Sequence, residues 1–282
     1  MSKVVFVPGG LSRFALQALA AGIVATLWVR GLEAAETRQL TFADFMAQRG
    51  YDDIALKLDQ QNHLYLHGKV NGRSADVLID TGASFTAIDK SKAGGIQEVG
   101  KLKHPVQGAF GKAEDNSSIV QIDRLELGKW PATNLHAVKL KLNERTVRVG
   151  SLIPRSSATH DMDVLLGLDF LQDYNAFLDY RTGKLFLRRD RPESMVSERI
   201  ERTIRASGWE GIPLSLVVVE NLLYVPAAFN GHPVTMIVDT GSMVTSIDIN
   251  QLDQLGLTTE GQLGKSSGLG GKKSDWNFAY IR

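Results

Sequence analysis

The sequence predicts an all-β protein of two homologous units, the second incomplete on its C-terminal side, behind a hydrophobic N-terminal helix. Three observations predict it. Apolar and polar residues alternate with period two over much of the chain. Asn-Gly, the strongest short hairpin signal because both residues tolerate positive φ, stands at Asn71-Gly72 and again at Asn230-Gly231. The stretch Val77-Leu78-Ile79-Asp80-Thr81-Gly82-Ala83-Ser84 returns as Met236-Ile237-Val238-Asp239-Thr240-Gly241-Ser242-Met243.

The repeat has a fixed offset, since Asp239 lies 159 residues after Asp80. At that offset Thr86 falls on Thr245, Ile88 on Ile247 and Asp89 on Asp248. Upstream, Asn62, Leu64 and Tyr65 fall on Asn221, Leu223 and Tyr224. Self-similarity on this scale means two homologous units, too long for solenoid repeats. In both copies an apolar strand runs into an acid, a hydroxyl residue and a glycine. An ionised carboxylate at the end of such a strand is costly unless it is hydrogen-bonded, paired or neutralised. Two such acids in one local setting point to a place where they meet.

Composition bounds the rest. A chain of 282 residues can hold two domains with their own cores. Its 43% hydrophobic and 22% charged residues are those of ordinary globular protein. A net charge of +1 gives no electrostatic case for nucleic acid or acidic membranes. The chain has no cysteine, which excludes disulfides, thiol catalysis and cysteine metal sites.

Arg13 precedes an apolar run, residues 14–29, broken only by Gln17, Gly22 and Thr26, with small residues following at Ala34-Ala35. This reads as a secretory signal. The run is short for a spanning helix, which needs about 20 apolar residues. Membrane anchoring by residues 14–29 is the alternative, since Arg30 gives a positive flank; a buried soluble helix is the third. Either export reading places the folded part outside the cytoplasm, periplasmic or secreted. The expected division is 1–35 signal peptide or membrane anchor, 36–190 first unit, 191–211 linker helix and 212–282 partial second unit.

Thr41 is positioned to cap a short helix through Phe42, Phe45 and Met46. Ile54, Leu56 and Leu58 alternate with polar residues as one half-buried strand. Leu64–Leu66 is a second strand, and Asp76–Ile79 delivers Asp80. His63 and His67 are four apart, a metal spacing on a helix; in strand-like surroundings they read instead as a pair on one strand face. Residues 90–118 are polar and glycine-rich, with Gly108-Ala109-Phe110-Gly111 inside them; Ser267-Gly268-Leu269-Gly270-Gly271 stands at nearly the same place in the second unit. These read as mobile hairpin tips or ordinary flexible loops; no Lys-Ser/Thr helix follows to make a phosphate loop.

Ile119–Leu127 and Asn134–Val149 alternate as strands around a turn at Gly128–Pro131. Val164–Leu166 is wholly apolar and reads as buried on both faces. Phe177–Tyr180 and Lys184–Leu187 form a hairpin across Arg181-Thr182-Gly183. Arg188-Arg189-Asp190-Arg191 is a solvated charge cluster. Pro192 starts a helix through Val196, Ile200 and Ile204 that ends near Gly208. Strand pattern resumes at Ile212. After Asp239 only 43 residues remain. Trp276–Ile281 matches Ile119–Leu125, but Val164–Leu171 has no counterpart.

These residues resemble the aspartic peptidases, in both their pepsin-like and retropepsin-like branches. Leu66–Asp89 resembles the first half of a bacterial retropepsin-like lobe. Asp163-Val164-Leu165-Leu166-Gly167-Leu168-Asp169-Phe170-Leu171 resembles that family's second signature, two hydrophobics then glycine. The resemblance covers residues 54–188 as a full lobe and 212–282 as part of another. It implies two retropepsin-like (acid protease) β-barrel lobes with a catalytic dyad, Asp80 and Asp239, at their interface. Thr81 and Thr240 would tie the two loops together, and Gly82 and Gly241 would let backbone approach closely. Ser84 would bond the outer oxygen of Asp80; its counterpart Met243 cannot do the same for Asp239, which leaves Ser242. Val164–Gly167 would brace the Asp80 loop. Gly108, Phe110 and Gly111, with Gly268, Leu269 and Gly270, would form flaps over the substrate.

The implied reaction is peptide-bond hydrolysis. One carboxylate takes a proton from water as it attacks, and the other donates to the carbonyl oxygen. Two carboxylates about 3 Å apart cannot both ionise, so the titration belongs to the pair. The substrate is an extended peptide or protein segment, and no metal or organic cofactor is needed. Two alternatives stand beside this one. A homodimer would bring together Asp80 from two chains. A catalytically inert remnant would only bind peptides.

Overall fold

A computed structural model describes residues 3–8, 41–59, 62–108, 111–114, 117–142, 148–149, 162–190, 194–217, 221–267 and 273–279. The expected signal or anchor run at 14–29, Phe110, and Gly268, Leu269 and Gly270 lie outside them. Among the described residues no helix is long and apolar enough to cross a membrane.

The chain opens with strand β1 (Lys3–Pro8) and helix α1 (Phe42–Ala47). Thr41 caps α1 as expected: its hydroxyl accepts from Asp44 N at 3.1 Å, and the Asp44 carboxylate accepts from Thr41 N at 2.9 Å. That capping box satisfies two end donors at once. Next come β2 (Asp52–Ala55), β3 (Lys57–Leu58), β4 (Leu64–Val70) and β5 (Arg73–Ile79). The β4–β5 turn has φ 47° at Asn71 and 79° at Gly72, the positive values a two-residue hairpin requires. Then follow β6 (Ala87–Asp89), β7 (Gln97–Lys101), β8 (Val106–Gly108) and β9 (Gly111–Glu114). After these run β10 (Ser118–Leu127), β11 (Trp130–Leu140), β12 (Arg148–Val149) and β13 (Val164–Leu166). Helix α2 (Leu168–Asp173) and the hairpin β14 (Phe177–Asp179) and β15 (Lys184–Leu187) complete the first unit.

Eight strands form one sheet in the order β3-β4-β5-β13-β6-β11-β10-β7, and β10 also pairs with β4. That pairing closes a six-stranded barrel, which removes the free edges a β-sheet otherwise exposes. β5 is covered on both faces. Val77 and Ile79 are fully buried in the larger core with Leu66, Ile88, Ile122 and Leu125, while Leu78 lies in a second core with Tyr65, Val138 and Leu165. Burial on both faces is why Val77–Ile79 and Val164–Leu166 read as unbroken apolar runs.

Helix α3 (Ser194–Ala206) ends at Gly208, whose φ is 85°. Its Ile200 and Ile204 pack on Met46, Tyr51 and Phe186 of the first unit. The second unit contains β16 (Trp209–Val217), β17 (Leu222–Phe229), β18 (His232–Ile237), β19 (Thr259–Ser267) and β20 (Lys273–Ala279). One sheet runs β1-β16-β17-β18 and another β12-β19-β20. The molecule is mostly β, with a closed barrel in the first unit and, among the described residues, two separate sheets that include the strands of the second.

Several local expectations are corrected. The strand expected over 54–58 is two, because the chain changes sheets at Leu56: β2 pairs with β15 and β3 with β4. Ile54 is therefore buried while Leu58 is exposed. Trp130 and Pro131 belong to β11 rather than to the turn, and β11 stops at Leu140. β16 begins at Trp209 rather than at Ile212. Helix α2 was not expected; it has a glycine at its N-cap and no side-chain cap to announce it. His63 precedes β4 and His67 lies within it, and their surroundings differ. His63 is buried with Nδ1 3.0 Å from an Asp59 carboxylate oxygen, and His67 is exposed beside Asp76.

Candidate active site

Each aspartate leaves the end of a strand and turns back on itself. Gly82 N donates to Asp80 Oδ1 at 2.9 Å, and Gly241 N donates to Asp239 Oδ1 at 2.8 Å. These two-residue bonds are the local turn that an aspartate makes with its own backbone. They repeat because the tripeptide repeats.

The two loops then lock into each other. The Thr81 hydroxyl donates to Val238 O at 2.7 Å and accepts from Thr240 N at 3.0 Å. The Thr240 hydroxyl donates to Ile79 O at 2.8 Å and accepts from Thr81 N at 3.1 Å. A hydroxyl both donates and accepts, so two threonines satisfy four backbone groups at the junction. The glycines set the approach. A Cβ on Gly82 would lie 2.5 Å from Asp239 Oδ1, and one on Gly241 would lie 2.5 Å from Asp80 Cγ. Each carboxylate thus rests against the other loop's glycine. The structure brings Asp80, Thr81, Gly82, Asp239, Thr240 and Gly241 into one cluster.

The first loop is braced from below. Asp80 N donates to Leu166 O at 3.0 Å, and β13 runs parallel to β5 with Leu166 opposite Ile79. Leu168 N donates to Ala83 O at 2.9 Å. Gly167 is forced by space, because a Cβ there would lie 2.5 Å from Phe85 C and O. Asp169 accepts from Thr86 N and from the Thr86 hydroxyl, each at 2.8 Å. Burial pushes the Asp169 carboxyl above its ordinary value of 3.8, against the pull of the Thr86 and Phe170 N–H groups and the Thr86 hydroxyl.

Environments differ between the two acids. Asp80 is 5% exposed and Thr81 7%. Asp239 is exposed and Thr240 half-buried. Ser242 is turned within its own loop, where its hydroxyl donates to Val244 O at 2.8 Å, so its proton is not directed to Asp239. Ser84 is drawn in through its carbonyl, which accepts from Asn221 Nδ2 at 2.5 Å. Gly108 pairs with Gly111 across the β8–β9 hairpin, and the corresponding second-unit hairpin is β19–β20. Both tips lie outside the described residues. Among the described residues no group of three His, Asp or Glu side chains is placed to hold a metal ion.

Two site residues escape a reading based on motifs. Asn221 donates to Ser84 O and accepts from Gln172 Nε2 at 2.6 Å, so one amide joins the second unit to the first loop and to α2. Its φ of 49° fits the asparagine it is. The repeat marks Asn221 through its match to Asn62, but nothing in the sequence says what the amide touches. Asp169 lies inside the second signature, yet its bonds to Thr86 span 83 residues.

Two interlocked acid-hydroxyl-glycine loops on β strands, one of them braced by an apolar strand ending in glycine, define the class: a β-protein that pairs two carboxylates at a junction between repeated units. A family profile described as Aspartyl protease matches residues 66–170 and 225–280, more than half of the chain. The chain belongs to that family, whose members are peptidases. Among matching solved structures is a retropepsin-like aspartic protease from Rickettsia conorii, at 19% identity and a TM-score of 0.31, covering 49% of this chain and 88% of that one. No curated protein matches the chain.

Proposed function

We propose that the chain is an aspartic endopeptidase whose dyad is Asp80 with Asp239, acting on an extended peptide. The observation that carries this reading is the reciprocal lock of Thr81 and Thr240, with each carboxylate against the opposite glycine. The lock holds both acids on one surface without help from their own side chains. In this reading one carboxylate activates water while the other donates to the scissile carbonyl. A strand-like substrate lies under the β8–β9 and β19–β20 hairpins and is held by main-chain hydrogen bonds. The expected setting is outside the cytoplasm, resting on the pattern of residues 13–35.

The dimer of first units is supported less well. The Thr81 hydroxyl and N–H, which a second Asp80 loop would need, are engaged by the chain's own Val238 and Thr240. The deciding experiment is cleavage of a denatured mixed-protein substrate between pH 3 and 7 by the wild type, Asp80→Asn and Asp239→Asn. Loss in both variants supports the intramolecular dyad. Loss in Asp80→Asn alone points to the dimer. A folded wild type that cleaves nothing leaves the binding remnant.

A further inference from the structure

We propose that the cleft where α1, the end of β15 and the first turns of α3 meet is a binding site for a phosphate group. Gln48, Arg49, Arg188, Val196 and Arg199 line a cavity of about 400 Å³ there. Three of these residues are arginines, and no carboxylate is among them. None belongs to an aspartate loop. They come from three separate segments, which the packing of Ile200 and Ile204 on Met46, Tyr51 and Phe186 brings together.

The arginines are held in place by groups that leave their charge unmatched. Arg49 Nη1 donates to Phe45 O at 2.7 Å, and its guanidinium lies over the Phe45 ring, 3.4 Å from the centroid. Arg188 opens the run Arg188-Arg189-Asp190-Arg191, which reads in the sequence as a solvated cluster. In the fold it is half-buried and turned inward, with Nη1 donating to Arg49 O at 2.8 Å. A carbonyl takes one of a guanidinium's five N–H groups and none of its charge. Arg49 Nε is buried without a hydrogen-bond partner, a donor that native structures normally satisfy. Arg199 has Met195, Val196, Arg202 and Thr203 at the helical spacings of three and four, so those positions of α3 offer it no acid. Glu201 is taken by Arg205 at 2.8 Å. Like charges gathered this way repel until an anion joins them.

The number of cations selects the ligand. A carboxylate carries one charge and pairs with one arginine fork. Three arginines match a group with about two negative charges and three acceptor oxygens, which is a phosphate. Val196 stands in the first turn of α3, a 13-residue helix, so the ligand also meets that helix's positive end. A bound phosphate would tie α3 to α1 and β15. Since α3 leads into β16, the site sits on the connection between the two units.

The test reads binding and not cleavage, so it stands apart from the proposed dyad. The full chain is titrated with inorganic phosphate by calorimetry, against acetate at matched ionic strength, and hydrogen exchange is followed along α3. The expected result is saturable phosphate binding, none with acetate, and slower exchange in α3 when phosphate is bound. Arg199→Gln, at an exposed position where the fold is kept, weakens phosphate binding about ten-fold. Two sources share this chemistry, and vesicles separate them. Co-sedimentation with phosphatidic acid vesicles but not with phosphatidylcholine vesicles, competed by inorganic phosphate and lost in Arg199→Gln, assigns a lipid headgroup. Phosphate binding without co-sedimentation assigns a soluble phosphate or phosphate ester. The proposal is overturned by non-saturable phosphate binding or by equal binding of acetate. It is equally overturned if Arg199→Gln and Arg188→Gln, both folded by circular dichroism, bind phosphate as the wild type does.

Discussion

Asp80 and Asp239 sit in nearly the same eight residues, and their loops have come to different ends. The bonds that reach two residues along the chain are present in both: Gly82 to Asp80 and Gly241 to Asp239. Asp89 and its counterpart Asp248 behave alike, accepting from Ser91 N at 2.8 Å and Asn250 N at 2.9 Å. Apart from the threonine lock, the bonds that brace the loop from other segments are found, among the described residues, around the first loop. Leu142 N reaches Asp89, Thr86 reaches Asp169, and Leu166 O receives Asp80 N. Burial follows: Thr86 and Ile88 are fully buried, while Thr245 is exposed and Ile247 half-buried. A repeated motif repeats its turn; enclosure depends on what the rest of the chain lays over it.

The largest expected effect tests whether the two loops still act as equals. Asp80→Asn and Asp239→Asn should each lower kcat by about 10²–10⁴-fold, the range for removing an acid–base group, in a peptidase assay with folding checked by circular dichroism. Unequal losses would show that the exposed acid has become dispensable.

Gly82→Ala and Gly241→Ala come next, because a methyl group would enter the space of the opposite carboxylate. Displacing a reacting group by about 1 Å can cost about 10²-fold, so kcat should fall by about that factor. The alanine at Gly82 should do less harm, since exposed Asp239 has room to yield where buried Asp80 has none. Parallel kcat measurements on the two variants decide it.

Removing a lock hydroxyl strips one donor and one acceptor. Thr81→Val should destabilise the fold by about 2–3 kcal/mol and Thr240→Val by about 1–2, each near the range for unsatisfied polar groups scaled by burial. Urea unfolding midpoints would read the order, and a reversed order would sink the account in which burial separates the loops.

Asp169 gives a pH-dependent test. Its folded carboxyl titrates above its ordinary 3.8 because of burial. The native state therefore binds a proton that the unfolded chain has already released. Its contribution is most favourable below 3.8 and falls as pH rises through the raised folded value. Asp169→Asn should flatten that part of the stability–pH curve while costing about 1–2 kcal/mol through its bonds to Thr86. Thermal melts from pH 3 to 7 on both proteins compare the slopes. The smallest effect belongs to Asn221→Gly, which keeps the positive φ and loses two amide bonds. It should cost about 1 kcal/mol, with exchange of Thr81–Ala83 amides speeded while the barrel stays protected.

Much of this was legible before any coordinates. The Asn-Gly turns, the Thr41 cap and the turns of the two acid loops depend on short-range geometry, and short-range geometry is written in adjacent residues; Val164–Leu166 was legible because a strand buried on both faces is apolar throughout. The errors fell where the spacing within a motif does not say which group is the partner. Ile54–Leu58 alternates like one strand, but its halves pair with β15 and β4. His63 and His67 have one spacing, and two different carboxylates divide them. Ser242 was the only hydroxyl left to serve Asp239, and Val244 O, two residues away, holds it instead.

The sequence by itself determined that the chain carries two copies of one acid-bearing turn, each with the hydroxyl and glycine needed to fit another copy. Which backbone groups those hydroxyls reach, that Asn221 bridges Ser84 and Gln172, and that Asp80 is enclosed while Asp239 stands open were decided only in the tertiary structure. The reason is physical. A turn is closed by hydrogen bonds two or three residues long, whereas burial and the satisfaction of buried polar groups are set by segments 80 to 160 residues apart, and those meet only when the barrel closes.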